Sequence, residues 1–352
     1  MTNNMIIKID DEFINSSLSN GLSDDELICL SKLYQLMAEK KLFIRADDSA
    51  FLSLLLNDYR DSFSKYAIGA MTNVLSNFYS IMSSVKQLDY LFTVTKSSLI
   101  YCNDNWSECS IPLKELPDEL CPFFYAENDE DAKFYYRVFK EIGPKCPIYI
   151  RCRGFGGGSG KSVIKSLIDD KTIFFVAIDS DKEFYGGATG STLKSIKPLF
   201  KKHRLFWEYY VLNVREKENL LPISSMNFGN NSMPLVLECI LNNNLDEIVE
   251  HFDIKSGVEE DSFSRKSLTS GWCRVHHPII NYLENSKGIT FPDPTKKNVS
   301  GVGDSFITRL LEDNRVDFSS ILLNCTVNQK KDWNSIFRLI VKYGYCYSSI
   351  TS

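Results

Sequence analysis

Residues 172–181 have the sequence Thr-Ile-Phe-Phe-Val-Ala-Ile-Asp-Ser-Asp, an uninterrupted apolar run that ends in two carboxylates around a serine. A short apolar run rich in β-branched and aromatic residues predicts a strand buried on both faces, as in a parallel sheet covered by helices. The end of such a strand lies at the carboxyl edge of the sheet, where open α/β folds build their sites. Asp179 and Asp181 are therefore the first candidate site residues.

A second segment upstream repeats this arrangement. Residues 122–125 (Pro-Phe-Phe-Tyr) predict a strand, and residues 126–131 (Ala-Glu-Asn-Asp-Glu-Asp) follow it. Carboxylate oxygens that converge at a sheet edge suit Mg²⁺, which prefers hard oxygen ligands. Asp179 and Asp181 reach one ion together only if the strand has ended and the backbone turns between them. The pattern predicts a magnesium site that acts on phosphate.

A glycine-rich loop, Gly-Phe-Gly-Gly-Gly-Ser-Gly-Lys-Ser, occupies residues 154–162. A Walker A motif needs glycine at the position that holds Phe155, so nucleotide hydrolysis is a minor alternative. Glycines between a strand and a helix let the backbone approach a phosphate, and a helix N-terminus favours an anion. The candidate phosphate-binding residues are Gly156, Gly157, Gly158 and Lys161, together with a basic segment that includes Lys201, Lys202 and Arg204 and that could also be a solvated helix face.

Strands and helices alternate from about residue 123 to 213, which predicts a mainly parallel sheet with helices on both faces. The fold class is therefore α/β, with three expected units. An N-terminal α/β domain of uncertain role covers residues 1–120, the central domain covers 121–222, and a mostly helical region covers 223–352. Within the first unit, the runs 91–94 and 98–101 predict a hairpin.

Composition excludes several classes of protein. The formal net charge is −5, which argues against coating nucleic acid by bulk attraction. The ten cysteines contain no CxxC pair, which favours reduced thiols over a disulfide framework. No secretion signal and no apolar run of membrane-spanning length is present. We therefore expect a cytoplasmic protein that does not enter a membrane.

The order of strand and glutamate, glycine-rich turn, then strand and Asp-x-Asp resembles the Toprim domain of topoisomerases, bacterial primases and OLD-family nucleases. The matching residues are Glu127, with Asp131 four places later, the loop 154–160, and 179–181. Residues 206–213 and 215–222 are also similar to segments that follow this domain in the nuclease-like, DUF4435-like branch found in phage defence. The family usually has glycine after the glutamate, where this chain has Asn128.

The resemblance implies a Mg²⁺-dependent endonuclease, with Mn²⁺ as a possible substitute, that cleaves DNA or RNA, including tRNA. It implies that Glu127, Asp179 and Asp181 are catalytic metal ligands and that Asp131 and Glu183 are further ligands, with Glu218 a weaker candidate. It also implies an anti-phage effector controlled by a partner ATPase of the ABC or SMC kind. Asp131 as a helix-capping acid and Glu183 as a surface residue remain alternatives.

Other functions remain open from the sequence. A degraded Toprim site that senses nucleotide or a partner without cleavage is the main alternative, motivated by Asn128. The pairs at residues 10–12 and 47–48 could form a second metal-carboxylate site, as in PIN-like nucleases, although turn acids and helix caps explain them more simply. Residues 273–277 (Cys-Arg-Val-His-His) lack the second pair that structural zinc requires.

Overall fold

The computed structural model describes residues 6–86, 91–97, 101–102, 109–116, 120–145, 148–201, 206–223, 234–243, 246–259, 270–288, 298–313 and 317–344. The strands are β1 (Ile6–Ile9), β2 (Phe43–Arg45), β3 (Phe92–Thr95), β4 (Tyr101–Cys102), β5 (Cys109–Pro112), β6 (Phe123–Ala126), β7 (Arg151–Gly154), β8 (Phe174–Ile178), β9 (Trp207–Val211), β10 (Gly257–Glu259) and β11 (Asn298–Ser300). The helices are α1 (Asp11–Asn20), α2 (Asp24–Ala38), α3 (Ser49–Asp58), α4 (Lys65–Ser76), α5 (Phe78–Val85), α6 (Asp129–Ile142), α7 (Gly160–Asp169), α8 (Ser191–Ile196), α9 (Leu235–Asn242), α10 (Asp246–Val249), α11 (Ser270–Lys287), α12 (Phe306–Glu312), α13 (Ile321–Asn324) and α14 (Val327–Gly344).

The N-terminal residues build a five-stranded sheet of order β2-β1-β3-β5-β4. Strands β2, β1, β3 and β5 are parallel, and only the edge strand β4 runs antiparallel. Helix α2 begins with a capping box in which Ser23 accepts from the Glu26 amide and Glu26 accepts from Ser23. The predicted α/β class is thus confirmed for this part of the chain.

The hairpin expected from runs 91–94 and 98–101 is not formed. Strand β3 pairs in parallel with β1 and β5, whereas β4 pairs antiparallel with β5. The hairpin therefore joins β4 to β5, and β5 separates β4 from β3. Residues 98–100 lie outside the described residues. Local alternation could not reveal this, because the pairing of β3 with β1 and β5 joins segments that are distant in the chain.

The second sheet is four-stranded, parallel throughout, and ordered β7-β6-β8-β9. Successive side chains of β8 point to opposite faces. Phe175 and Ala177 join the core that includes α6 and α14, whereas Phe174, Val176 and Ile178 join a second cluster with α7 and α8. All five residues of β8 are buried, which explains why its sequence is a continuous apolar run.

The C-terminal part of the chain contributes helices α9 to α14 and the antiparallel pair β10-β11. The larger core cluster runs without a break from the N-terminal sheet through α6 to α14. Phe92 of β3 packs edge-to-face on Phe206, which precedes β9, with ring centroids 6.1 Å apart. Trp333 of α14 packs on Phe134 and Tyr135 of α6. The C-terminal helix thus supports the sheet that carries the acidic residues.

Candidate functional site

Strand β8 ends immediately before the first aspartate of the acidic turn. Asp181 lies in the left-handed region with φ +52°, so the backbone has left the extended conformation. The amides of Ser180 and Asp181 donate to the Arg215 carbonyl at 2.9 and 3.0 Å, and buried Ser180 Oγ donates to the Val214 carbonyl at 2.6 Å. The turn that both aspartates need in order to reach one point is therefore present, and it is held by the segment after β9.

The segment after β6 is built around a helix cap. Asn128 is extended, with φ −135°, and its side chain accepts from the Asp131 amide at 2.9 Å. Any residue adopts this backbone conformation, so asparagine in place of the expected glycine introduces no strain. Asp131 occupies the first turn of α6 with its side chain turned inward, and the residue is 1% exposed. Asp131 is therefore a buried acidic residue next to the Glu127 turn rather than a capping acid on the surface.

The glycine-rich loop packs directly against this turn. The Phe155 and Gly156 amides donate to the carbonyls of Ala126 and Glu127 at 3.0 and 2.9 Å. A Cβ on Gly154 would lie 2.5 Å from the Asn128 carbonyl carbon, and Gly156 has φ +76°. Gly158 has open space around it. Close packing and backbone conformation thus account for part of the glycine content, whereas Gly158 is exposed and has no neighbouring atom that an added Cβ would meet.

A lysine that the sequence analysis did not select lies among the carboxylates. Lys217 Nζ is 3.2 Å from Asp131 Oδ1 and 3.2 Å from Glu218 Oε1. Lys217, Glu218 and Asp131 are 8%, 1% and 1% exposed. From the sequence, Glu218 is only a weaker candidate. The signal that could have identified both residues is the charged run of residues 215–218 shortly after strand β9, in which Lys217 and Glu218 are buried.

The 3₁₀ turn Lys217–Leu220 is fixed by contacts from the C-terminal helix. Gln329 Nε2 donates to the Asn219 carbonyl at 2.7 Å, and Trp333 Nε1 donates to the Leu220 carbonyl at 3.0 Å. Asn219 Nδ2 in turn donates to the Phe252 carbonyl at 2.7 Å. The contacts from α14 leave no local sequence pattern, because Gln329 and Trp333 lie more than a hundred residues after the turn in the chain.

The carboxylates of the cluster share one electrostatic environment. Burial raises the pKa of Glu127, and the charge of Asp181 raises it further. Burial also raises the pKa of Asp131 and of Glu218, in spite of the nearby Lys217. The pKa values of Asp179 and Asp181 are raised for the same reason, that of Asp179 strongly. Burial opposes the charge on Lys217, but Glu218, Asp131 and Asp179 outweigh it, so the pKa of Lys217 is raised.

Unpartnered buried oxygens show whether this cluster could hold a cation. Asp131 Oδ2 and both carboxylate oxygens of Glu218 are buried without a hydrogen-bond partner, although Lys217 Nζ forms an ion pair with Glu218 Oε1 at 3.2 Å. A donor set made only of carboxylates suits Mg²⁺ or Mn²⁺. Within the described part of the chain, however, no three Asp, Glu, His or Cys side chains are already arranged to ligate one metal ion. The donor chemistry fits the ion, and metal binding would require the carboxylates to converge further.

The other predicted site residues lie farther out. Glu183 is partly exposed, and its charge acts on Arg215. Lys161 is exposed at the start of α7. Lys201 ends a 3₁₀ turn, and its side chain lies outside the described residues, as do Lys202 and Arg204 as a whole. The structure therefore brings together Glu127, Asp131, Asp179, Asp181 and Glu218.

The features proposed as alternative sites have structural partners. Asp47 accepts from Arg45 Nε and Nη2 at 2.8 Å each, and Asp48 caps α3 by accepting from the Ala50 amide at 2.8 Å. His276 Nδ1 lies 3.1 Å from the Trp272 carbonyl, and its ring stacks on that of Trp272. These contacts give Asp47, Asp48 and His276 roles in stabilising the fold.

In comparisons with protein-family models, with curated proteins and with solved structures, no match to this chain was found. Among the residues that the structure describes, no helix combines the length and apolar character needed to cross a membrane.

Proposed function

We propose that this protein is a Mg²⁺-dependent endonuclease with a Toprim-like catalytic domain. One observation carries the proposal: five carboxylates with raised pKa values gather at the carboxyl edge of a parallel sheet around one buried lysine. Three of them, Asp131, Asp179 and Glu218, are buried, and burying more carboxylates than there are counterions is unfavourable for folding. Carboxylates with perturbed pKa values cluster at functional sites, and a bound cation would balance their charge.

Glu127, Asp179 and Asp181 would hold Mg²⁺ or Mn²⁺, with Asp131 and Glu218 behind them and Glu183 at the periphery. The ion, when bound, would stabilise the negative charge that develops on a scissile phosphate. The raised pKa of Glu127 lets its carboxyl group hold a proton closer to neutral pH, which suits a general acid or base. Lys217 keeps Asp131 and Glu218 together while the outer carboxylates change their charge.

The cellular role belongs to the same proposal. The substrate would be DNA or RNA, including tRNA, contacted by the Gly156–Gly158 backbone, Lys161 and the basic segment with Lys201, Lys202 and Arg204. An ATPase of the ABC or SMC kind would control the nuclease, in the cytoplasm and away from membranes, as part of an anti-phage system. The failed Walker A match supports this division of labour, because ATP hydrolysis would then fall to the partner.

The test is cleavage of single-stranded DNA, plasmid and tRNA with Mg²⁺ or Mn²⁺, with and without an added ATPase of the ABC or SMC kind. The variants Glu127→Gln and Asp179→Asn should abolish cleavage. Asp47→Asn is the matched control, since it alters an acidic strand end of the other sheet and should leave cleavage unchanged. Absence of cleavage with every substrate, metal and partner would overturn the proposal.

A second candidate function is a regulatory module that binds nucleic acid or nucleotide without cleaving it. The observation that favours it is the arrangement of the cluster, in which Lys217 bridges two carboxylates and, among the described residues, no metal-ligating set is assembled. This module would bind ligand equally well with and without Mg²⁺. Calorimetric titration of the wild-type protein with Mg²⁺ and then with oligonucleotide distinguishes the two functions.

A further inference from the structure

The chain after Asp181 forms a closed loop whose two ends meet at the acidic turn. The Gly190 amide donates to the Ser180 carbonyl at 3.1 Å. Gly190 also packs on the Asp181 carboxylate so closely that an added Cβ would lie 1.8 Å from Oδ2. Both ends of the segment 181–190 are therefore fixed beside the proposed catalytic residues.

The middle of this loop is a tight turn with its own anchor. The Gly187 amide donates to the Phe184 carbonyl at 2.9 Å, and Gly186 has φ +79°, as in a type II turn. The Phe184 ring lies against Gly271 at the start of α11, where an added Cβ would lie 2.4 Å from Cδ2. Phe184 also packs against the main core. The turn is thus held in place by a partly buried aromatic side chain.

Tyr185 occupies the outer corner of this anchored turn. It is 84% exposed, although the preceding aromatic residue is packed into the protein. Its Cα is four residues from that of Asp181, so the two are at most about 14 Å apart even along extended chain. An aromatic ring displayed on a fixed turn beside a phosphate-cleaving site presents a flat surface to the substrate. Lys182 in the same loop adds a positive charge.

We propose that Tyr185 is a stacking platform for an unpaired nucleobase next to the scissile phosphate, and that the substrate is single-stranded at this point. Bases in a duplex already stack on each other, whereas a splayed-out base has a free face for an aromatic ring. This inference rests on the proposed nuclease function, since it places the ring beside the carboxylate cluster. It further specifies the substrate as single strands or the loops of structured RNA.

The test measures binding in the Glu127→Gln background, with Mg²⁺ present, so that substrate is not consumed. Fluorescence anisotropy gives the Kd for a labelled single-stranded oligonucleotide and for a blunt duplex of the same sequence. A 2-aminopurine base in the single strand reports stacking through the loss of its fluorescence. Tyr185→Ala, Tyr185→Phe and Tyr79→Ala are compared. Tyr79 in α5 is the matched control, because it is 85% exposed and belongs to the N-terminal unit.

Tyr185→Ala should weaken single-strand binding by about fivefold to a hundredfold, in line with the stacking energy of one base, and should restore 2-aminopurine fluorescence. Tyr185→Phe should retain both signals, Tyr79→Ala should match the parent protein, and duplex binding should not respond to position 185. Equal single-strand affinity for Tyr185→Ala and the parent would overturn the stacking role while the nuclease proposal stands. Absence of nucleic-acid binding by the parent and wild-type proteins would overturn both.

Discussion

Acidic residues follow strands at the edges of both sheets, but their surroundings differ. At the N-terminal edge, Asp47 accepts two hydrogen bonds from Arg45, and Lys8 Nζ lies 3.6 Å away. Burial alone would raise the pKa of Asp47, yet hydrogen bonds and charge from Arg45, with Lys8 and Lys86, lower it. At the second edge, Lys217 faces several carboxylates whose pKa values are all raised.

The comparison shows that acidic residues at a strand end do not by themselves define a metal site. A carboxylate matched by cations is stabilised in its charged form and needs no further ligand. A buried carboxylate without enough counterions is destabilised, and such an arrangement is retained when function requires it. The balance between carboxylates and cations, rather than the number of acidic residues, distinguishes the edge of the N-terminal sheet from the edge of the second sheet.

The largest effect is expected from removing the central cation. Lys217→Met should destabilise the metal-free protein by about 3–5 kcal/mol, because it leaves buried carboxylates without their counterion. The matched control is Lys8→Met, whose partly exposed pairs with Asp11 and Asp47 contribute at most about 1 kcal/mol. Urea denaturation at pH 7.5 measures both. A cost for Lys217→Met no greater than that for Lys8→Met would mean that Lys217 does not balance the cluster.

Divalent metal should stabilise only the second edge. At a Mg²⁺ concentration a hundred times its Kd, the free energy of unfolding should rise by about 2.7 kcal/mol. The gain should be larger at pH 8 than at pH 5, because ligands with raised pKa values must lose protons to bind the ion. Thermal denaturation at both pH values checks this, with Asp47→Asn responding like wild type and Asp179→Asn losing the response. A response that survives Asp179→Asn would place the ion elsewhere.

A smaller loss is expected from a residue that supports the acidic turn from behind. Asp332 of α14 is fully buried and accepts from the amides of Asn213 and Val214 at 3.0 and 3.1 Å. Val214 and Arg215 in turn accept from the turn that carries Asp179 and Asp181. Asp332→Asn should cost about 2 kcal/mol of stability, because the amide group cannot accept from every donor.

Asp332→Asn should also reduce Mg²⁺ affinity, since the acidic turn would lose its support. Calorimetric titration separates this effect from a general loss of stability. A matched control is Lys342→Met, which removes a contact of the same helix with Glu208 of β9 at 2.8 Å and alters neither the acidic turn nor the 3₁₀ turn. If Asp332→Asn lowers stability but binds Mg²⁺ as tightly as wild type, its role is confined to packing.

Much of the second sheet could be predicted from its sequence, because β8 is buried on both faces and its apolar run is therefore continuous. Because site residues follow the ends of such strands, the same run also predicted Asp179 and Asp181, and the strand before α6 predicted Glu127 and Asp131. Lys217 was missed because a charged run normally predicts solvent exposure. Its burial depends on Gln329 and Trp333 of α14, contacts of high sequence separation that leave no local pattern.

The smallest expected effect is the direction in which neutralising one carboxylate changes the stability of the protein. The folded-state pKa of Asp179 is raised above its ordinary value of 3.8, so its contribution to stability is present below that pH and is lost as pH rises through the raised pKa. Asp179→Asn should therefore stabilise the metal-free protein at pH 8, by about 1 kcal/mol, and the gain should vanish towards pH 4.

Asp47 should respond in the opposite direction. Its pKa is lowered, so its contribution is present above pH 3.8 and is lost as pH falls through the folded-state value. Asp47→Asn should therefore destabilise the protein at pH 8, with a loss that shrinks in acid, where the wild-type carboxyl is also neutral. Denaturation of both variants between pH 4 and about pH 8 measures the two changes in the free energy of unfolding. If both variants were stabilised, or both destabilised, the two edges would not differ in their charge balance. Opposite signs would show that ion pairs balance the carboxylate at the first edge, whereas the carboxylate at the second edge lacks enough counterions.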